Sequence, residues 1–249
     1  RGLRHGRAPL EEMPGWDGFR AQLDAAELDD FVCVVGDGEG VIATHTKGRG
    51  PDLDSAAPAG ASSSWVSTAV ILSLVAAGRL RLRDPVNRHL KWWTRQGEDP
   101  RSKITLQHLL SFTSGMGDNS PAPYADGVAS IAESARAIYD LYGECGEGLR
   151  YMPGSTLSYS LHNLQVAGAM AEAATGKSWE ALFDSEIRVP LGLRATACYS
   201  HPRRDLASVG EGLTISPRDY ALFVMRGVFR RELSASGGRG LGEEMEADH

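Results

Sequence analysis

Three consecutive serines, Ser62-Ser63-Ser64, open a long apolar run that reads as a helix. A serine hydroxyl is a poor nucleophile until a positioned base takes its proton. Position three after Ser62 is Trp65, and no Ser-x-x-Lys occurs anywhere in the chain. Ser62 therefore has two readings: an activated nucleophile, or an N-cap whose oxygen satisfies backbone donors. Position alone supplies no base, so the N-cap reading is preferred. Thr44-His45-Thr46-Lys47 has Thr-x-x-Lys spacing, but it falls on an expected strand. Residues three apart there point to opposite faces, which makes it a poor substitute.

Other side chains invite chemistry more weakly. Tyr159, after the Pro153-Gly154 turn, is a general base, a hydrogen-bond donor, or a packed structural tyrosine. His162 could replace a base, although a lone histidine at a helix start is more often a cap or a surface group. Ser114, in Thr113-Ser114-Gly115, reads as a loop-fixing residue. Gly176-Lys177-Ser178 fails as a phosphate loop because Ala171 stands where its first glycine is required. The chain has no Gly-x-Ser-x-Gly elbow, and its His, Cys and acidic residues show no metal-like spacing. Trp92-Trp93 reads as packing on the helical core.

The elements that must position these residues follow from periodicity. Residues 17–29 read as an amphipathic helix with Phe19, Leu23 and Leu28 on its apolar side. Residues 31–35 and 41–45 form a hairpin turned by Asp37-Gly38. The Pro-, Gly- and Ser-rich stretch 49–61 reads as a loop. Residues 62–77 are apolar on nearly all sides, the mark of a buried helix, which Gly78 ends. It is expected to be the most buried helix, packed between the hairpin and the helices carrying Leu109 and Val166. Further helices are expected over 104–112, 127–142, 162–174 (capped by Gly176), 178–189, and from Pro217 to 226 or 228. Residues 234–249 read as a poorly ordered tail.

Composition narrows the function classes. The net charge of −6 and the lack of a basic stripe argue against nucleic acid as a partner. No apolar run reaches the roughly 18–20 residues a membrane span needs. Cys33, Cys145 and Cys198 suit neither a disulfide framework nor a zinc site, and Cys33 is expected to be buried as a small hydrophobe.

Five ordered segments together resemble the serine β-lactamase-like superfamily: class C β-lactamases, DD-peptidases, related esterases and mitochondrial LACTB-type proteins. They are the hairpin, the helix 61–77 with its Asp84-Pro85-Val86 exit, Leu109-Leu110-Ser111-Phe112-Thr113-Ser114-Gly115, Pro153-Gly154 with Tyr159-Ser160, and Pro190-Leu191-Gly192-Leu193. The departures fall on chemistry. Leu161 stands where the family has the asparagine of Tyr-Ser-Asn, and the Lys-Thr-Gly or His-x-Gly motif expected downstream of Ser216 does not appear before His249. Ser62 lies 16 residues before Gly78, one fewer than the family spacing. Either a lysine is deleted between Ser64 and Trp65, or Ala61 occupies the nucleophile position and Ser64 the lysine position.

The resemblance implies an α/β fold of the α+β type: β-lactamase/transpeptidase-like, with an antiparallel sheet flanked by helices, a mostly helical domain, and C-terminal strands missing. One unit is expected over 1–249, with 17–60 as N-terminal helix and hairpin, 61–200 as the helical region, and 201–249 as a partial return to the sheet and a tail. The expected function is a catalytically impaired protein serving as a structural or binding subunit of a larger assembly. The alternative is a serine hydrolase of esters or amides, with Ser62 as nucleophile and Tyr159 as base. A small-ligand binding module using the remnant cleft is a third reading. Ser62 and Tyr159 are the catalytic positions carried over, as inactive relics. No cofactor and no metal are expected. The expected partners are other protein subunits, with peripheral membrane association left open and the compartment unassigned.

Overall fold

The computed structural model describes residues 15–37, 40–49, 52–117, 128–143, 146–200 and 206–229. Gly38 of the hairpin turn and the tail 234–249 lie outside them. The first helix, α1 (Trp16–Ala25), is shorter than its periodicity suggests, because Ala26 turns extended at ψ 142°. Leu28 therefore lies beyond the helix and is exposed, while Trp16 is buried with its ring 5.5 Å from Phe19. Strands β1 (Phe31–Asp37) and β2 (Gly40–Lys47) pair antiparallel from Phe31↔Lys47 to Asp37↔Gly40. Cys33 is half-buried rather than buried. Helix α1 ties to β2 through Asp24, 2.8 Å from His45, and the Lys47 ammonium donates to the Ala26 carbonyl at 2.6 Å.

A second small sheet was not legible as a pattern. Strands β3 (Ala57–Pro58), β4 (Cys198–Tyr199) and β5 (Leu213–Ile215) form it in the order β3-β5-β4, antiparallel throughout. Strands of two or three residues carry no alternation to read, so the stretch 49–61 read as loop conceals one of them. A 3-10 turn, Gly60–Ser62, then runs directly into α2 (Ser63–Ala76). The remaining helices are α3 (Val86–His89), α4 (Leu106–Leu110), α5 (Ile131–Leu141), α6 (His162–Thr175), α7 (Trp179–Phe183), α8 (Val189–Leu191) and α9 (Pro217–Leu222). A π-helical turn, Asp184–Arg188, joins α7 to α8, and another, Phe223–Phe229, extends α9. Gly176 ends α6 at φ 72°, as its C-cap reading requires.

Val66, Val70, Ile71 and Leu74 of α2 are buried with Leu164, Val166 and Met170 of α6. Helix α2 packs on α6, α7 and the turn after α7, and α4 packs on α6. The hairpin lies on α9 instead of flanking α2 as expected. Trp93 is buried, and its ring lies 4.9 Å from Tyr139 with half-buried Trp92 alongside.

Polar side chains on α2 and α6 are spent on one segment, Ala207 to Leu213, irregular until it enters β5 at Leu213. A buried backbone group without a partner costs about 1–3 kcal/mol, and this segment runs beneath α2 with little ladder of its own. Ser63 Oγ donates to Gly60 O (2.6 Å) and accepts from Leu213 N (3.1 Å). Ser64 Oγ donates to Gly210 O at 3.0 Å, and Ser67 Oγ bonds both Val209 O and the Tyr199 phenol. From α6, Gln165 accepts from Val209 N (3.0 Å) and donates to Ala207 O (3.2 Å).

The two distinctive loop motifs are knitted in the same manner. Arg150 N donates to Gly115 O, Gly154 N to Thr113 O and Ser158 N to Phe112 O, at 2.9, 2.7 and 2.8 Å. Gly115 sits at φ 88°, and a Cβ there would lie 2.0 Å from Tyr151 O, so only glycine fits. Ser114 is buried and bonds Asn163 Oδ1, the loop-fixing role read for it.

Two outcomes follow. Ser67→Ala should lower stability by about 1–3 kcal/mol, because it orphans Val209 O and leaves the buried Tyr199 hydroxyl only its long 3.4 Å bond to Ser63 O. Urea unfolding of both proteins measures this, and an unchanged midpoint would contradict the account. The second concerns His108, which shares a capping box with Thr105: His108 N donates to Thr105 Oγ1 and Thr105 N to His108 Nδ1, both at 3.3 Å. Burial holds His108 below the ordinary imidazole range. The unfolded chain then binds more protons than the folded one below pH about 6.5, so stability falls as pH drops through that value toward the folded pKa. His108→Gln retains a capping side chain and removes the titration. Wild type should lose more stability than the variant between pH about 7 and 5, and parallel pH curves would exclude the assignment.

Candidate active site

Ser62 is not the N-cap that its position suggests. An N-cap residue needs extended backbone, whereas the 3-10 turn leaves Ser62 helical at φ −64°, ψ −16° with no capping side-chain bond. The neighbouring serines are committed to backbone groups, Ser63 to Gly60 O and Leu213 N and Ser64 to Gly210 O. The Ser62 hydroxyl forms no hydrogen bond to a described residue and is exposed. Ser62 is one of the residues lining a cavity of about 490 Å³ between the hairpin and α9, together with Val32, Val34, Ile215, Tyr220, Val224 and Met225.

No described group beside Ser62 can take its proton. Trp65, three residues on, is 61% exposed and carries no basic atom. In the ungapped register, Ser64 and Leu161 hold the lysine and asparagine positions, and the two meet over Gly210. Ser64 bonds its carbonyl, and a Cβ on Gly210 would lie 2.9 Å from Leu161 Cδ2. A committed hydroxyl and a hydrocarbon thus stand where that register puts a base and an amide. Ala61, its nucleophile position, is exposed. The Lys47 ammonium is held on Ala26, away from this helix start.

Tyr159 is half-exposed, its ring 4.9 Å from Phe112, and no hydrogen bond among the described residues joins it to Ser62. Phe112 itself adopts φ 55°, the one positive-φ non-glycine residue among those described. Such strain is held only where surroundings over-determine it, here the Ser158 N to Phe112 O bond. His162 is buried, not a surface cap, and its Nδ1 lies 3.2 Å from the Tyr142 hydroxyl. The structure therefore does not assemble Ser62, Tyr159 and His162 into one hydrogen-bonded group.

The phenol that does reach Ser62 is Tyr220, which donates to the Ser62 carbonyl at 3.2 Å. Burial pushes the Tyr220 phenol above its ordinary value, with the Ser62 bond opposing, so it serves as a donor rather than a base. Sequence reading missed Tyr220. Ser216-Pro217 announces a helix start, yet nothing local shows that its fourth residue meets a serine 158 positions earlier. Also unread was the ion network below the cavity. Arg194 Nε donates to buried Asp219 (2.9 Å) and Arg194 Nη1 to Asp54 (2.8 Å), while Arg218 Nε donates to Asp54 (2.7 Å). The Arg218 hydrogen bond, with Arg194 adding to it, holds Asp54 below the usual carboxylate range. Among the described residues no cluster of three or more His, Cys, Asp or Glu could hold a metal, and no helix is long and apolar enough to cross a membrane.

Known proteins supply the context. Esterase EstB of Burkholderia gladioli is 34% identical over 50% of this chain and 33% of its own length. Penicillin-binding protein 4 of Amycolatopsis lactamdurans is 26% identical over 56% of this chain and 35% of its own. The chain thus spans about a third of the curated relatives it matches. In three dimensions FmtA of Staphylococcus aureus superposes with a TM-score of 0.71 at 15% identity, covering 94% of this chain and 71% of FmtA, which is a likeness of fold. The β-lactamase/transpeptidase-like fold, helices around small antiparallel sheets, is therefore the architecture of this chain. A family model described as beta-lactamase matches residues 20–247, nearly the whole length, and this protein belongs to that family.

Proposed function

We propose that this protein is a serine acyl-transfer protein of the hydrolase type, acting on esters or amides through acylation of Ser62. The observation that carries the reading is the Ser62 hydroxyl: exposed, unbonded to any described residue, and set on a cavity while its neighbours are structurally committed. Membership of the family and the likeness to an esterase support it. In the step, Ser62 Oγ bonds to the acyl carbon, the bond to the leaving oxygen of an ester or nitrogen of an amide breaks, and the hydroxyl proton passes to solvent or to that leaving atom. Water then releases the acid. Loss of a general base costs about 10²–10⁴ in rate, and removal of coupled groups together can approach about 10⁶. Turnover should accordingly be slow and limited to activated acyl groups.

Purified protein should release p-nitrophenol from p-nitrophenyl butyrate slowly, with a Ser62 adduct visible by mass spectrometry. Ser62→Ala should abolish both. Identical progress curves with no adduct would remove Ser62 from the chemistry.

A second reading, a subunit of a larger assembly without turnover, is favoured by the hairpin. Strand β1 pairs only with β2 among the described residues, so its outer edge is unpaired although α9 packs on the hairpin. Open strand edges recruit another chain or aggregate. Size-exclusion with light scattering should find the protein associated under this reading, while a stable monomer with a protease-resistant hairpin would exclude it.

A further inference from the structure

We propose that the cavity between the hairpin and α9 is an acyl site that selects neutral esters with short apolar acyl chains over esters carrying a carboxylate. The proposal rests on the Ser62 reading, since Ser62 is the lining residue whose hydroxyl has no partner among the described residues. Its size, about 490 Å³, suits a small ligand. Alternation along β1 sends Val32 and Val34 into it, with Ile215 and Val224 among the facing residues. Met225 closes the Gly36 end: a Cβ on Gly36 would lie 2.1 Å from the Met225 sulfur.

The charge pattern carries the selectivity. Among the described residues that line the cavity there is no Lys, Arg, His, Asp or Glu. The cations below it are already used, Arg194 on Asp219 and Asp54, and Arg218 on Asp54. Of the two hydroxyls beside Ser62, Tyr220 donates to the Ser62 carbonyl and Ser216 to Asp219. A carboxylate entering this space would find no cation on the described lining and, as an uncommitted donor, only the Ser62 hydroxyl that has to attack, whereas a propyl chain would lose only contact with water. Each buried methylene should raise the acylation rate about four-fold, so butyrate should exceed acetate by roughly fifteen-fold.

The test compares p-nitrophenyl acetate with p-nitrophenyl butyrate, and the neutral p-nitrophenyl crotonate with mono-p-nitrophenyl fumarate, whose trans carboxylate cannot reach its own ester carbonyl, following p-nitrophenolate release and the Ser62 adduct. Crotonate should react about ten-fold or more faster than fumarate, whose carboxylate is left unpaired. Val224→Lys places an ammonium on the lining and should raise the fumarate-to-crotonate ratio about ten-fold. Val34→Trp should fill the cavity and erase the advantage of butyrate over acetate. Thermal melts establish that both variants fold, and Val224→Lys, at a half-buried position, stands alone if Val34→Trp does not. Equal wild-type rates for crotonate and fumarate, or a ratio that Val224→Lys leaves unchanged, would overturn the proposal. If no ester labels Ser62, the unreactive N-phenylbutanamide and N-phenylsuccinamic acid are compared by saturation-transfer NMR. Binding of the neutral amide alone, reversed by Val224→Lys, would uphold the selective cavity and sink the Ser62 chemistry. Equal binding of both amides, or binding of neither, would overturn the cavity as an acyl site.

Discussion

The segment from Ala207 to Leu213 imposes the constraint from which much else follows. It passes under α2 as irregular backbone, and its amides and carbonyls must find partners away from water. The chain meets this by placing hydroxyls on the buried face of an otherwise apolar helix and an amide on α6. Ser63, Ser64, Ser67 and Gln165 supply those bonds. A helix with valine, isoleucine and leucine around its circumference can thus carry buried serines without leaving polar groups orphaned. The arrangement also fixes the rotation of α2 about its axis, because the three bonding serines must face the same segment.

That rotation decides what the helix start can do. With Ser63 and Ser64 turned to the core, Ser62 is directed to the hairpin side and Trp65 to solvent. The 3-10 turn before α2 adds to this by giving Ser62 helical torsions, which removes its capping role and leaves its hydroxyl on the cavity. Gly60, at φ 54°, allows the turn to begin where the chain leaves β3. The family lysine would need the space that the Ser64–Gly210–Leu161 contact fills. Substituting one residue could not restore a base there without displacing the carbonyl that Ser64 satisfies.

Sequence was informative where the physics is local or periodic. The all-round apolar run at 63–76, the Gly176 cap, the hairpin and the Thr113-Ser114-Gly115 turn each carry their own signature, and the structure places them accordingly. The reading failed where partners are remote. Ser62 looked like a cap because serine before an apolar run usually is one; the preceding 3-10 turn is not visible in Gly-Ala-Ser. His162 looked like a surface residue because its partner, Tyr142, lies on another element. Leu28 was assigned to a helix that stops at Ala25, where Ala26 departs from helical torsions without a glycine or proline to announce it. The cavity and Tyr220 were illegible for a simpler reason: they exist only when β1, β5 and α9 come together.

The same remoteness explains how an uncharged cavity can sit beside so many charges. Asp219 is almost fully buried, and a buried carboxylate is tolerable only when paired. Arg194 and Ser216 pair it, and Arg194 reaches on to Asp54, which also holds Arg218. Each cation therefore points down into the network and away from Ser62. Breaking the network at Asp54 would leave Arg194 with Asp219 but release Arg218, whose position on the first turn of α9 is three residues from Ala221 on the cavity lining. The neutrality of the cavity is in this sense maintained from outside it, by carboxylates that hold the arginines in place.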